Sequence, residues 1–505
     1  MSQPSARMTL YRDDAIGVVD PRLYGAFVEH VGRAIYGGIY EPGHPEADEY
    51  GYRKDVLNLV RELRVPLIRY PGGNFVSGYR WEDGVGPREN RPVRPDLAWR
   101  SLETNEIGVD EFARWAELAG SRLMMALNLG TRNVEAACNL LEYCNMETGT
   151  RYSDMRRSYG WAAPHNIPIW CLGNEMDGPW QIGHKTATEY GRLALETARA
   201  MRRLDSSVEL VACGSSYPQM PTFPEWEAEV LQHTYDEVDY LSLHQYFVKK
   251  EIDTADYLAQ TLEMDQYIQT VISTCDYVKA VKRSKKTMFL SFDEWNVWYH
   301  SNGRDDNLMR EHPWRRAPDL LEEAFNMEDA LVVGGILITL LHHVDRIKIA
   351  CMAQLVNAIA PIMTVTGGPS WRQTTFYPFQ LTSLYGRGVS LRPHMISSRY
   401  DSKNYTDVPY ISAAAVYNEE VDTLTLFVLN RHLTEDVTFT ADLHGFEGRR
   451  ILSHTMLRHD DLNVCNRPSS EAVAPTDGGN TSISGSTFTS LLPRASWHVI
   501  RMGGA

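Results

Sequence analysis

Short, nearly continuous apolar runs recur along the chain, separated by longer stretches in which apolar residues return every three or four positions. Eight such runs stand out: Tyr24 to Val28, Val65 to Arg69, Leu123 to Asn128, Ile167 to Leu172, Val208 to Ala212, Val238 to Leu243, Thr287 to Ser291 and Ile347 to Ala350. A run this short and this apolar is what a strand covered on both faces requires. Between the runs, Val56, Val60 and Leu63 fall on one helical face, as do Tyr190, Leu193, Ala194, Thr197 and Met201. Strands and helices alternating in this way predict an α/β chain built as a (β/α)8 TIM barrel. A doubly wound open sheet is the alternative. It is disfavoured because eight units in series fit closure and no G-x-G-x-x-G follows the first run.

The pattern changes after about Gly388. Helical periodicity gives way to strand-like segments at Ile411 to Tyr417, Thr423 to Leu429, Val437 to Ala441, Ile451 to Leu457 and Trp497 to Met502, divided by turns such as Asp477-Gly478-Gly479-Asn480. These predict a C-terminal antiparallel β-sandwich of jelly-roll type. The expected division is a catalytic barrel over residues 18–386 and a sandwich over 387–505, completed by an N-terminal strand within 1–17, at Met8 to Tyr11. A separate carbohydrate-binding module is the competing reading of the tail. No Pro/Ser-rich linker sets it apart, which favours a cap packed on the barrel.

Composition narrows the function classes. The chain has 505 residues, 43% hydrophobic and 23% charged, as an ordinary globular protein does. Its formal net charge of −15 would repel a phosphate backbone or an anionic bilayer, so neither nucleic acid nor membrane is expected as a partner. The longest apolar run, Ala330 to Leu341, falls well short of the roughly 20 residues that span a bilayer. The first residues, MSQPSARMTLYRDD, lack an apolar signal core, so a cytoplasmic location is expected. Seven cysteines lie scattered in apolar surroundings, with no C-x-x-C pair and no zinc-ligand spacing. Buried free thiols are expected, with no disulfide framework, no metal and no cofactor.

The chemistry gathers at the C-terminal ends of the runs, where barrel enzymes keep their active sites. Run one ends in Glu29-His30, run two in Arg69-Tyr70-Pro71-Gly72-Gly73-Asn74, and run three in Asn128. Run four ends in Gly173-Asn174-Glu175, run six in His244-Gln245-Tyr246, run seven in Asp293-Glu294-Trp295-Asn296, and run eight reaches Gln354. Buried carboxylates and amides are costly unless they meet one another or a ligand, which predicts that these groups converge in one mouth. A lone Glu at a strand end is more often a salt bridge or a helix cap. Strands four and seven, however, lie across a barrel from each other, so Glu175 and Glu294 can flank a substrate, as glycosidic cleavage needs. Spacing alone also leaves a Schiff-base or metal-dependent barrel open.

At these residues the chain resembles the family 51 glycoside hydrolases, the intracellular α-L-arabinofuranosidases. The matching segments are GAFVEHVGRAIYGGIYEPGHP (Gly25 to Pro45), RYPGGNFVSGYRWEDGVGP (Arg69 to Pro87), LAWRSLETNEIG (Leu97 to Gly108), IWCLGNEMDGPWQIGH (Ile169 to His184), LSLHQYF (Leu241 to Phe247) and FDEWNVWY (Phe292 to Tyr299), which together span the barrel. The resemblance implies Glu175 as proton donor, from the Gly-Asn-Glu motif, and Glu294 as nucleophile, from the Asp-Glu-Trp motif. It implies that Asn174 binds the sugar 2-hydroxyl and that Glu29, Asn74 and Gln354 hold the other hydroxyls of a terminal arabinofuranose. Tyr246 would lie near the nucleophile and Arg69 would keep Glu294 ionised. Phe247, where many relatives carry a second tyrosine, and Cys351-Met352, where an Asn is usual, depart from the pattern without touching either glutamate. Trp180, Trp298 and Trp314 are candidates to stack on an aglycone sugar, or simply to pack.

The expected activity is therefore a retaining, exo-acting release of non-reducing arabinofuranosyl residues from arabinose-containing oligosaccharides. A homo-oligomer, often a hexamer, is implied by the same resemblance. An endo-β-glucanase or xylanase on the same scaffold is the alternative enzyme. A non-catalytic carbohydrate-binding protein is the alternative class, and it would be expected to have lost Glu175 or Glu294.

Overall fold

A computed structural model describes residues 4–504. Eight parallel strands close into a barrel in chain order: Gly25–Phe27, Leu67–Tyr70, Arg122–Ala126, Ile169–Cys171, Glu209–Ala212, Tyr240–Phe247, Phe289–Val297 and Ile347–Ala353, the last pairing back onto the first. Helices Lys54–Leu63 and Ala187–Leu204 bury the faces that the periodicity predicts. The second of them starts at a reciprocal cap in which Thr186 and Glu189 satisfy each other's backbone N–H. Strands six, seven and eight run three to six residues beyond the apolar segments. Those extra residues are the polar ones that form the mouth, where hydrophobic patterning no longer marks a strand.

Beyond the barrel, two sheets pack face to face. One has seven strands, with Ala15–Val18 at one edge and Ile411–Asn418, Thr423–Asn430, Ser496–Gly503 and Arg450–Arg458 at its centre. The other has five and includes Ser5–Tyr11, Val437–His444 and Thr487–Leu492. Met8, Leu10, Leu426, Val428, Phe439 and Phe488 fill the space between them. The N-terminal segment thus supplies a strand to each sheet, where one was expected. The sandwich is also not wholly antiparallel, because Ser5–Tyr11 runs parallel to Val437–His444 and antiparallel to His394–Ser397.

The run Ala330 to Leu341 is most of helix Met327–Leu341, buried at every position. A helix apolar all round has no solvent face. This one lies between strand seven of the barrel and the seven-stranded sheet, whose Phe427, Leu429, Trp497 and Val499 join the barrel core rather than the sandwich core. Gly334 permits the approach, since a Cβ there would sit 2.4 Å from the Trp497 ring. No helix among the described residues is long and apolar enough to cross a membrane. All seven cysteines are free thiols; Cys138 and Cys465 are half-buried and the rest buried.

Candidate active site

A cleft of about 660 Å³ opens at the C-terminal end of the barrel, lined by Glu29, Asn74, Glu175, Gln245, Tyr246, Glu294 and Gln354 with Trp99, Trp180, Tyr217 and Trp298. The strand ends bring the two glutamates together. One carboxylate oxygen of Glu175, one of Glu294 and a ring nitrogen of His244 all lie within 4.8 Å of one another.

Glu175 follows strand four through Gly173 (φ +102°) and itself holds φ +45°. That conformation is strained for a residue with a side chain, and such strain persists where the surroundings over-determine it. Its Oε1 lies 3.0 Å from His244 Nδ1 and its Oε2 accepts from the Trp180 indole N–H at 2.7 Å. Burial pushes its carboxyl above the usual range, and the nearby Glu294 adds to that push against the pull of the two donors.

Glu294 is held differently. Arg69 donates to its Oε1 at 2.7 Å and the Tyr246 hydroxyl to its Oε2 at 2.8 Å. The other arm of Arg69 donates to Asn174 Oδ1 at 2.6 Å. Burial works against the Arg69 charge, but Asp293 and Glu294 outweigh it and keep the guanidinium ionised. Two chemically identical side chains thus sit in different settings, one bound at both oxygens by a guanidinium and a phenol and one raised by burial.

Asp293 precedes Glu294, yet both touch Arg69 and His244. Consecutive residues of a regular strand point to opposite faces. The register between strands six and seven slips here, with Ser242 opposite Ser291 but His244 opposite Glu294. The extra residue in strand seven is a bulge that turns two successive carboxylates into the barrel. His244 Nε2 meets Asp293 Oδ1 at 2.8 Å. Burial lowers the imidazole's pKa, but Glu294, Asp293 and Glu175 together raise it to about 10, so His244 is an imidazolium at neutral pH.

Glu29 forms the far wall. Its Oε1 accepts from the Phe75 N–H and the Trp99 indole, both at 2.8 Å, and Gln354 Nε2 donates to its Oε2 at 3.3 Å. Gln354 also takes the Glu29 N–H at 2.9 Å. Burial pushes the Glu29 carboxyl up to about 8. Gly73 makes this wall possible, because a Cβ there would stand 2.3 Å from the carboxylate. Trp99 is delivered by a small hairpin, Arg94–Asp96 and Ser101–Glu103, whose Asp96 accepts from the Trp99 and Ala98 N–H groups.

The eight expected site residues therefore come together, with Asn74 beside Gly73 on the cleft wall. Several strand-end residues expected in the mouth do not, Asn296 among them, whose amide donates to Ala353 O and Ile359 O. His30 is tied to Glu103 (2.8 Å) and the Tyr70 hydroxyl (2.7 Å), and Asn128 closes a turn with the Gly130 and Thr131 N–H groups. Trp180 and Trp298 line the cleft; Trp314 does not, and its backbone N–H donates to Arg100 O. Sequence reasoning assigned no role to His244, Asp293 or Trp99. All three stand inside the matched segments, and an Asp beside a candidate nucleophile was the available signal for Asp293. No sequence signal marks the bulge that turns it inward.

Family models match two long segments: residues 59–257 match the α-L-arabinofuranosidase 1 domain, and residues 293–496 the α-L-arabinofuranosidase C-terminal domain. The chain is 57% identical over 499 residues to an intracellular exo-α-(1→5)-L-arabinofuranosidase of Acetivibrio thermocellus, covering 99% of each. It is 56% identical over 498 residues to the intracellular exo-α-(1→5)-L-arabinofuranosidase 1 of Bacillus subtilis, covering 98% of this chain and 99% of the relative. Among solved structures, a family 51 α-L-arabinofuranosidase from Bifidobacterium longum superposes with a TM-score of 0.94 at 45% identity, over 99% of this chain and 100% of that one.

Proposed function

The chain belongs to the α-L-arabinofuranosidases of glycoside hydrolase family 51 and is an exo-acting α-L-arabinofuranosidase, and from that premise we propose how its residues divide the work. Glu294 is the nucleophile and Glu175 the acid and then the base of a retaining double displacement. The observation that carries this is the spacing of the two carboxylates, whose oxygens come within 4.8 Å across the mouth. A retaining pair stands about 5 to 5.5 Å apart, whereas an inverting pair needs roughly 6.5 to 9.5 Å to admit a water.

In the first step a Glu294 oxygen attacks the anomeric carbon as the bond to the leaving oxygen breaks, and Glu175 gives its proton to that oxygen. Arg69 and the Tyr246 hydroxyl each bind one oxygen of Glu294 and aim the carboxylate. In the second step Glu175, now a carboxylate, takes a proton from water as the water attacks the same carbon and frees Glu294. Asn174 has its Oδ1 fixed by Arg69, while its Nδ2 makes only a long contact of 3.4 Å to Gln181, which leaves that N–H for the sugar 2-hydroxyl. A hydrogen bond there strengthens as oxocarbenium character develops. Glu29, Asn74 and Gln354 hold the remaining hydroxyls and close the pocket around one terminal sugar.

The relatives' names support α-1,5-linked arabinofuranosyl residues as the groups released and an intracellular location, and on that basis arabino-oligosaccharides and arabinan catabolism are the proposed substrate and role. The family likeness supports a homo-oligomer, which sedimentation at working concentration tests. The stereochemistry is tested by proton NMR of the first-formed product: retained configuration is expected, and an inverted initial product would overturn the assignment. Release from nitrophenyl arabinofuranoside with none from soluble β-glucan separates this reading from an endo-glucanase.

A further inference from the structure

Trp180 stands five residues past Glu175, in the loop Gly178-Pro179-Trp180, and is the one indole whose N–H is seen to bond the proposed acid/base. It is 45% exposed, stacks on Tyr217 with ring centroids 6.0 Å apart and lines the cleft beside it. Gly178 gives the ring room, since a Cβ there would fall 2.5 Å from it.

The two oxygens of Glu175 are not equivalent. Oε1 faces an imidazolium N–H of His244, which Asp293 holds from behind, so Oε1 already accepts a charge-assisted hydrogen bond that a proton on that oxygen would weaken. A protonated Glu175 therefore carries its hydrogen on Oε2, the oxygen that the indole occupies. An N–H bond to a carboxylate favours the charged form. The leaving-group oxygen must also reach Oε2, 2.7 Å from the indole nitrogen, so the leaving sugar cannot enter without touching Trp180. A carboxylate oxygen has two acceptor positions, so a water and the indole fit together in the second step. In the first step the proton fills one of those positions and is shared with the leaving oxygen, and the now neutral Oε2 accepts the indole N–H less strongly than the carboxylate does.

We infer that Trp180 is a positioning residue that couples occupancy of the leaving-group site to the protonation of Glu175. With a leaving sugar stacked against Trp180 and Tyr217, the indole N–H is drawn off Oε2 and Glu175 takes up a solvent proton to become the acid. When the leaving sugar departs, the indole returns to Oε2 and holds Glu175 as the base that hydrolyses the arabinosyl-enzyme. The inference rests on Glu175 being the acid/base. The other charged or titratable groups around Glu175 are His244 and Tyr246 from strand six, Asp293 and Glu294 from strand seven, Arg69 from strand two and Asp177 from its own loop. The substitution W180F leaves all of them in place.

The test is W180F, which keeps the ring and its stacking but loses the N–H, with W180Y as a second variant. The basic limb of the kcat/KM profile should move up by about one pH unit, the scale of one hydrogen bond to a charged group. With an activated aryl arabinofuranoside the burst of aryl alcohol should persist while the steady rate after it falls about fivefold. Cleavage of arabinotriose at neutral pH should fall by less than the steady rate on the aryl substrate. An unmoved basic limb, or an equal loss on both substrates with no change of pH profile, would overturn the coupling. E175A measured beside these variants keeps the two readings apart: azide rescue of E175A with an unmoved limb in W180F sinks the coupling alone, and no azide rescue sinks the acid/base assignment itself.

Discussion

His244 and Asp293 are bound through Nε2 and Oδ1 at 2.8 Å, and this contact sets the charge between the two glutamates. With Asp293 behind it, the imidazole presents an N–H to Glu175 at 3.0 Å and stands 3.7 Å from Glu294. A neutral ring could instead present a bare nitrogen to Glu175, and the two would repel.

D293N removes the charge while keeping the shape. The imidazole, now raised to about 10, should titrate closer to neutrality, and Glu175 should lose its best-placed donor as pH rises. A fall in kcat/KM on the order of 10- to 100-fold is expected, the usual scale for misplacing a catalytic group by about 1 Å. The loss should deepen toward alkaline pH, where the ring is neutral. A D293N profile parallel to that of the unaltered enzyme would contradict this.

The glutamates should part company by leaving group. E175A is expected to lose about 10²- to 10⁴-fold on oligosaccharides, the worth of general acid catalysis, and far less in the bond-breaking step with nitrophenyl arabinofuranoside, whose leaving group needs no proton. Azide should restore its turnover and give a glycosyl azide of retained configuration. E294A should lose both substrate classes together, since no intermediate can form. Equal losses on both classes in E175A would refute the assignment.

Much of this site can be read from the chain, and the reason is topological. Strand-end residues of a closed barrel share one mouth, so Glu29, Arg69, Asn174, Glu175, Tyr246 and Glu294 could be placed by finding eight apolar runs and taking the polar residues at the end of each. That rule failed at His30 and Asn128, which have the same strand-end position but meet partners from loops: Glu103 from the mouth hairpin, and the N–H groups of a local turn. It also gave no way for Asp293 and Glu294 to face inward together, because alternation along a regular strand would turn one of them away and only a bulge brings both inward. In the tail, strands were visible but their partners were not. Nothing in the pattern of Ser5 to Tyr11 says that it runs parallel to Val437–His444, which lies more than four hundred residues away.

The sandwich should be needed for the barrel to fold, because helix Met327–Leu341 is apolar on every side and part of its cover is the seven-stranded sheet. W497A, at a buried ring pressed on Gly334, should cost about 3 to 5 kcal/mol. A chain ending near Gly386 should aggregate or unfold. Cooperative melting and full activity of that truncated chain would show that the barrel is independent.

Stability should fall with acid through two histidines far from the active site. His454 Nε2 lies 2.9 Å from His498 Nδ1, and His498 Nε2 lies 2.7 Å from Ser496 Oγ, which donates to Pro493 O. Ser496 therefore accepts from His498 Nε2–H, His498 Nδ1 accepts from His454 Nε2–H, and His454 Nδ1 is a buried atom with no protein partner. The chain closes only with the His498 ring neutral, since a proton on His498 Nδ1 would face the proton of His454, and a proton on His454 Nδ1 would be a buried charge with no protein partner. Burial holds His454 down to about 4 and His498 well below its ordinary value, with His454 opposing it as well. The unfolded chain thus binds more protons than the folded one between about pH 6.5 and 4, so stability is lost as pH falls through that window. The melting temperature should drop from pH 7 to pH 4.5, and H454Q, whose amide can still donate to His498, should flatten the drop. An identical pH dependence of melting in H454Q would show that the loss comes from other groups.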